Sequence, residues 1–122
     1  MFQRFSKTTH ELLNFFRMHV NTHFGHKVEI GIWDTAGSEE YGRYRALSYP
    51  NASVFITLFS LVNKASYKNV LSRWDPEQRR NCPDVPVILV GTKLDLRELY
   101  STDKDHKYTE KPTTREEGIS LA

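Results

Sequence analysis

Two apolar runs in this chain each end abruptly in a short polar run, and that pairing limits the folds open to it more than any other feature. Val28-Glu29-Ile30-Gly31-Ile32-Trp33 leads into Asp34-Thr35-Ala36-Gly37, and Val85-Pro86-Val87-Ile88-Leu89-Val90-Gly91 leads into Thr92-Lys93-Leu94-Asp95. An apolar run closed by a carboxylate or a glycine predicts a parallel strand. Such a strand delivers polar groups to the carboxyl edge of a sheet, where doubly wound folds bind ligands. A G-x-x-x-x-G-K-[ST] loop, the usual phosphate cradle of such folds, does not occur in the 122 residues.

The rest of the chain alternates in the same manner. Leu12, Leu13, Phe16 and Val20 fall near helical spacing and predict a helix over 9–20, with Thr9 as its cap. Gly25 predicts a hairpin from about Val20 to Trp33. A loop follows from Gly37 to Gly42, then a short helix over 43–49 stopped by Pro50 and Asn51. Ala52 to Leu61 is nearly all apolar and predicts a strand buried on both faces. Asn63 to Arg80 predicts a helix carrying Val70, Leu71 and Trp74, kinked or restarted at Pro76. Cys82-Pro83-Asp84 predicts a turn and Val85–Val90 a second buried strand. Residues 98–115 are polar, with the run Asp103 to Lys107 expected as a solvated surface excursion, and another helix begins near Ala122. Strands alternating with helices give an α/β class with a mainly parallel sheet flanked by helices.

The two polar runs carry the chemistry. A carboxylate at a strand end, as at Asp34, is placed to hold Mg²⁺ directly or through water. Gly37 lets the backbone come close enough for its N–H to meet a terminal phosphate oxygen. In the second run, the Asp95 carboxylate can accept hydrogen bonds from the N1–H and the exocyclic amine of guanine. Adenine has neither donor on that edge and would leave the carboxylate unpaired, a loss worth roughly 10⁴-fold in an ordered site. Lys93 can lay its alkyl stem along the flat base with its ammonium in solvent.

Composition bounds the alternatives. A chain of 122 residues is one domain by length, and a net charge of +2 gives no ground to expect nucleic acid. The one cysteine, Cys82, has no partner for an internal disulfide, so a reducing, cytoplasmic setting is expected. No apolar stretch reaches the roughly 18 residues of a membrane span. Residues 1–27 hold five of the seven Phe and four of the five His, so this opening segment is read separately from 28–122.

With those residues in view, 28–97 resemble a small GTPase of the Rho family. Trp33-Asp34-Thr35-Ala36-Gly37 is similar to the family's third nucleotide motif and Thr92-Lys93-Leu94-Asp95 to its fourth. Leu47-Ser48-Tyr49-Pro50, Phe59-Ser60-Leu61-Val62, Arg73-Trp74, Cys82-Pro83 and Gly91-Thr92-Lys93-Leu94-Asp95-Leu96-Arg97 also match, with the spacing kept. Residues 98–117 have nearly the length of the extra helix that marks Rho proteins. The resemblance implies a P-loop NTPase fold and a signalling switch that binds and hydrolyses GTP. It implies GTP or GDP with Mg²⁺ as ligand, Asp34 near the metal, Gly37 at the γ-phosphate, and Thr35 and Ala36 beside them. Thr92, Lys93, Leu94 and Asp95 would hold guanine. Tyr41, Arg43, Tyr44, Arg45 and Leu47 would form the second switch, which meets exchange factors, GTPase-activating proteins and effectors. Trp33 resembles the strand residue through which exchange factors choose partners.

The sequence departs from the family in ways that shape the expectation. The phosphate loop and the fold's central first strand are missing, and Ser6-Lys7-Thr8 lacks the glycine that would precede such a loop. Leu12 falls near the position of the family's Mg²⁺-binding switch threonine. Ser38 stands where the family usually has a glutamine that orients the attacking water, so no catalytic residue is assigned. The family's C-terminal portion and prenylated cysteine box have no counterpart before the final Ile119-Ser120-Leu121-Ala122, so no membrane anchor is expected. The expectation is an incomplete, weakly stable GTPase domain with impaired nucleotide binding. The alternative is a non-catalytic interaction protein of GTPase descent that meets regulators through 38–49.

Overall fold

The computed structural model describes residues 3–4, 13–102 and 110–121. It divides into two compact units, Met1–Pro50 and Asn51–Ala122. Among the described residues, no helix is long and apolar enough to cross a membrane.

In the first unit, strands β1 (Gln3–Arg4), β2 (Leu13–Asn21) and β3 (Lys27–Thr35) form an antiparallel sheet in that order. The β2–β3 hairpin closes through Thr22 N–H to His26 O at 2.8 Å and Gly25 N–H to Thr22 O at 3.0 Å. Gly25 lies at φ 78°, a left-handed conformation that glycine adopts without Cβ strain. Register pairs Leu13 with Thr35 and Asn21 with Lys27. Phe16, Met18, Val20, Val28, Ile30 and Ile32 therefore share one face. On the other, the Phe15 and Trp33 rings lie 4.7 Å apart, and Glu29 accepts Arg17 and His19 at 3.3 and 3.2 Å.

This hairpin corrects the expected helix over 9–20, since its described part is strand. Phe16, Met18 and Val20 alternate, and the partner segment alternates in phase with them. Cross-strand pairing across Gly25 outweighs a helical spacing that Leu13, Phe16 and Val20 also satisfy. Thr9 and Leu12, like Ser6-Lys7-Thr8, lie outside the described residues. After β3 come a 3₁₀ turn at Glu39–Tyr41 and helix α1 (Gly42–Ala46), and Asn51 at φ 67° follows the stop at Pro50.

In the second unit, β4 (Phe55–Ser60) and β5 (Val87–Thr92) pair in parallel, Phe55 with Val87 through Ser60 with Thr92. Helix α2 (Lys64–Asn69) is capped by Asn63, whose side chain accepts Ser66 N–H at 3.0 Å. A π-helical stretch, Val70–Trp74, joins it to α3 (Asp75–Asn81). Pro76 has no N–H to offer the Ser72 carbonyl, and the helix widens ahead of it. Cys82 to Val85 forms the expected turn, closed by Val85 N–H to Cys82 O at 3.3 Å.

Phe55, Thr57 and Phe59 are buried, and Thr57 Oγ1 bonds the Gln78 amide of α3. Ile56 and Leu58 on the opposite face are 56% and 58% exposed, so this strand is not buried on both faces. Helices α2 and α3 come from one connection and cover one side. Parallel pairing is confined to β4 and β5 among the described strands, which makes the architecture mixed α/β rather than mainly parallel.

Helix α4 (Leu94–Thr102) follows β5, and the charged run Asp103 to Lys107 lies outside the described residues. Helix α5 (Arg115–Leu121) opens on a reciprocal cap: Glu117 N–H donates to Thr114 Oγ1 at 3.2 Å and Thr114 N–H to Glu117 Oε2 at 2.8 Å. The same carboxylate takes Lys64 Nζ at 2.6 Å, and Tyr67 Oη donates to Glu117 O at 3.0 Å. The Lys64 ammonium and the Thr114 amide hold the Glu117 carboxyl below the usual glutamate range. The start of α2 is thereby tied to the start of α5.

Candidate functional site

The first motif emerges from the end of β3. Asp34 is exposed, Thr35 and Ala36 are half-buried, and Gly37 and Ser38 are exposed. The strand ends at Thr35, the last residue paired in the hairpin, opposite Leu13. Gly37 has a φ outside the left-handed region, and a Cβ built on it meets nothing within 4 Å. Neither packing nor backbone conformation requires a glycine at this position. The open space suits close approach by an outside group. Trp33 is 54% exposed and stacks on Phe15.

Behind the loop lies α1. Arg45 is 4% exposed, and its Nη1 donates to Ala36 O at 2.6 Å and to Ser38 O at 2.9 Å. Arg43 and Tyr44 are exposed, Leu47 is 72% exposed, and Tyr41 is half-buried with its ring 6.4 Å from that of Tyr44. The segment expected as the second switch thus splits. Tyr44, Arg43 and Leu47 face solvent, while Arg45 turns inward to the loop.

The second motif leaves the end of β5. Thr92 Oγ1 donates to Phe59 O at 3.0 Å, and Leu61 N–H donates to Thr92 O at 3.0 Å, so Thr92 is fixed to β4 through both backbone and side chain. Lys93 then adopts φ 61°. A left-handed lysine costs roughly 1–3 kcal/mol and persists only where its surroundings dictate it. It turns the chain sharply from strand to helix. Arg97 N–H closes the first turn on Lys93 O at 3.2 Å. Leu94 and Asp95 are exposed in that first turn, where a carboxylate sits favourably beside the helix N-terminus. Gly91, just before, is closely packed: a Cβ there would lie 2.7 Å from Leu61 Cδ2, and the Leu61 side chain would have to turn aside.

The inward turn of Arg45 and the left-handed Lys93 carry no signature in the sequence. The Thr114–Glu117 cap does, as T-x-x-E. Among the described residues, no group of three or more His, Cys, Asp or Glu is gathered to hold a metal. A single exposed carboxylate, Asp34, fits an ion that keeps waters and takes its other ligands from phosphates, which is the habit of Mg²⁺.

A family model described as the Ras family matches residues 1–122. The chain belongs to the Ras family, and its domain is a nucleotide-binding switch of the small-GTPase type. Membership brings the family's general usage: GTP or GDP with Mg²⁺, and exchange factors, GTPase-activating proteins and effectors as partners.

Proposed function

We propose that the chain is a Rho-type guanine-nucleotide switch whose 122-residue form binds nucleotide weakly. The observation that carries this reading is the Thr92–Asp95 turn: a strained Lys93 at a strand end delivers an exposed Asp95 into the first turn of a helix. Asp95 reads guanine by accepting from N1–H and the exocyclic amine. The Lys93 stem covers the base, and Thr92 and Leu94 fix the turn. Mg²⁺, carried with the nucleotide, supplies charge neutralisation at the phosphates, and Asp34 holds it through water. Thr35, Ala36 and Gly37 form the loop that meets the terminal phosphate through the Gly37 amide.

Weak binding follows from the missing G-x-x-x-x-G-K-[ST] loop. About four charge-assisted contacts at 1.5–3 kcal/mol each are absent, at least roughly 6 kcal/mol or about 10⁴-fold in affinity. Ser38 is too short to orient a water as glutamine does, so hydrolysis is slow even with nucleotide bound. Titration of the chain with a fluorescent guanine nucleotide tests this, and submicromolar binding overturns the weak-binding reading. The single Cys82 supports a cytoplasmic setting.

A second reading has its own observation. Leu47 at 72% and Tyr44 at 48% exposure, with Arg43 beside them, form an apolar and basic surface on 38–49 suited to regulators without catalysis. Loss of exchange-factor binding in Leu47→Asp with the fold intact supports it. No binding of any exchange factor, GTPase-activating protein or effector by the native chain counts against it.

A further inference from the structure

Arg45 stands out because a guanidinium is among the last groups a protein buries, yet this one is 4% exposed. Arg43, two residues earlier on the same short helix, is exposed, as positions i and i+2 do not share a face. Among the contacts of Arg45, one nitrogen, Nη1, reaches two carbonyls: Ala36 O at 2.6 Å and Ser38 O at 2.9 Å. An Nη nitrogen carries two hydrogens, so one goes to each oxygen. The two oxygens belong to the Ala36–Gly37 and Ser38–Glu39 peptide units, which flank the Gly37–Ser38 unit.

Peptide geometry extends this. No peptide bond in the described chain is cis. In a planar trans unit the C=O and the N–H point in opposite directions. The Ala36 carbonyl shares its unit with the Gly37 amide, and the Ser38 carbonyl shares its unit with the Glu39 amide. A guanidinium that holds both carbonyls on one side directs both N–H groups to the other; the Ser38 carbonyl also accepts Tyr41 N–H at 3.3 Å, so the Gly37 amide is the one whose direction rests on Arg45 most directly. Gly37 has no Cβ and nothing within 4 Å of where one would stand, so its own side chain cannot set that direction.

We propose that Arg45 is a positioning residue that aims the Gly37 and Glu39 amides away from α1 by gripping the Ala36 and Ser38 carbonyls, before any phosphate arrives. This rests on the reading of Gly37 as a phosphate contact only for its purpose. The grip itself is a property of the chain without nucleotide. Arg45 is then a support for the loop from behind, and Arg43, Tyr44 and Leu47 remain the outward surface.

The test is ¹⁵N relaxation on the full chain without nucleotide. In the native chain the Gly37 and Glu39 amides give order parameters near those of rigid backbone, about 0.8 or above. In Arg45→Gln they fall to about 0.6 or below, the range of flexible backbone. Arg45→Lys restores part of the loss, because an ammonium can still donate to both oxygens. Arg80→Gln, on the exposed end of α3, leaves both amides unchanged. A second measurement needs no variant: the Arg45 Nη protons exchange with water at least about tenfold more slowly than those of exposed Arg43. Equal order parameters in native chain and Arg45→Gln overturn the proposal, as does Arg45 exchange as fast as Arg43. Nucleotide titration separates the two readings. If Arg45→Gln loosens the loop but the native chain favours no guanine nucleotide, the grip stands and the switch reading fails.

Discussion

Replacing Gly91 by alanine places the second motif under a load that the structure lets us size. The new Cβ would lie 2.7 Å from Leu61 Cδ2 and 3.1 Å from Cγ, against about 3.5–4.0 Å for carbons in comfortable contact. Only the Leu61 side chain is free to give. The Leu61 N–H donates to Thr92 O at 3.0 Å and its carbonyl accepts Thr113 N–H at 2.7 Å, so its backbone is held on both sides. The side chain must leave its rotamer or the strand ends must part, and overpacking of this kind costs about 1–3 kcal/mol. Alanine in a strand returns about 0.5–1 kcal/mol of backbone entropy. The net loss is about 1 kcal/mol, worth roughly 4 °C of Tm in a chain of 122 residues. Urea unfolding followed by fluorescence in a Trp33→Phe background, which leaves Trp74 as the one tryptophan, reads the change, with a midpoint lowered by about 0.3–1 M at the slope expected for a small domain. A double-mutant cycle isolates the contact: in a Leu61→Ala background the same substitution becomes neutral or mildly stabilising. An unchanged midpoint in Gly91→Ala, or an equal loss in both backgrounds, refutes the reasoning.

Other outcomes follow from single observations. Thr113 is fully buried and its Oγ1 has no hydrogen-bond partner among the described residues, so Thr113→Val raises stability by about 1–2 kcal/mol in the same urea assay. The Glu117 carboxyl is held below its usual range by Lys64 and the Thr114 amide, and the sign of its linkage is fixed by that. Its stabilisation is present above the unfolded value of about 4.3 and is lost as pH falls through the lower folded value. Thermal melts from pH 6 to 3 accordingly show a shallower acid loss in Glu117→Gln than in the native chain. Gly37→Ala, with open space for its Cβ, leaves stability within about 0.5 kcal/mol while weakening any preference for GTP over GDP.

Where local chemistry decides the structure, the sequence was readable. Pro50 and Cys82-Pro83-Asp84 each mark a break that the chain makes, while at Pro76 the helix continues and changes from π-helical to α-helical turns. The runs ending at Thr35 and Thr92 are strands, but only the second is parallel as predicted; the first pairs antiparallel with β2 across the Gly25 hairpin. Longer-range pairing was harder to read. Residues 13–21 satisfy two periods at once, and only the partner strand across Gly25 resolves them as β-structure. The apolar run from Ala52 to Leu61 reads as buried on both sides, yet burial depends on which faces the helices cover, and α2 and α3 cover one. The site shows the same limit. Asp34, Gly37 and Asp95 are visible as residue types at strand ends. The inward grip of Arg45 and the left-handed turn at Lys93 are set by geometry that no spacing encodes.

The central claim is that Thr92 to Asp95 selects guanine in a Ras-family switch. The most direct measurement is saturation-transfer NMR of the 122-residue chain with millimolar GDP and, separately, ADP in the presence of Mg²⁺, repeated on Asp95→Ala. Weak binding that favours GDP over ADP by at least about tenfold is expected, with the preference lost in Asp95→Ala. Equal binding of the two nucleotides, no binding of either, or a GDP preference that survives Asp95→Ala would contradict the claim.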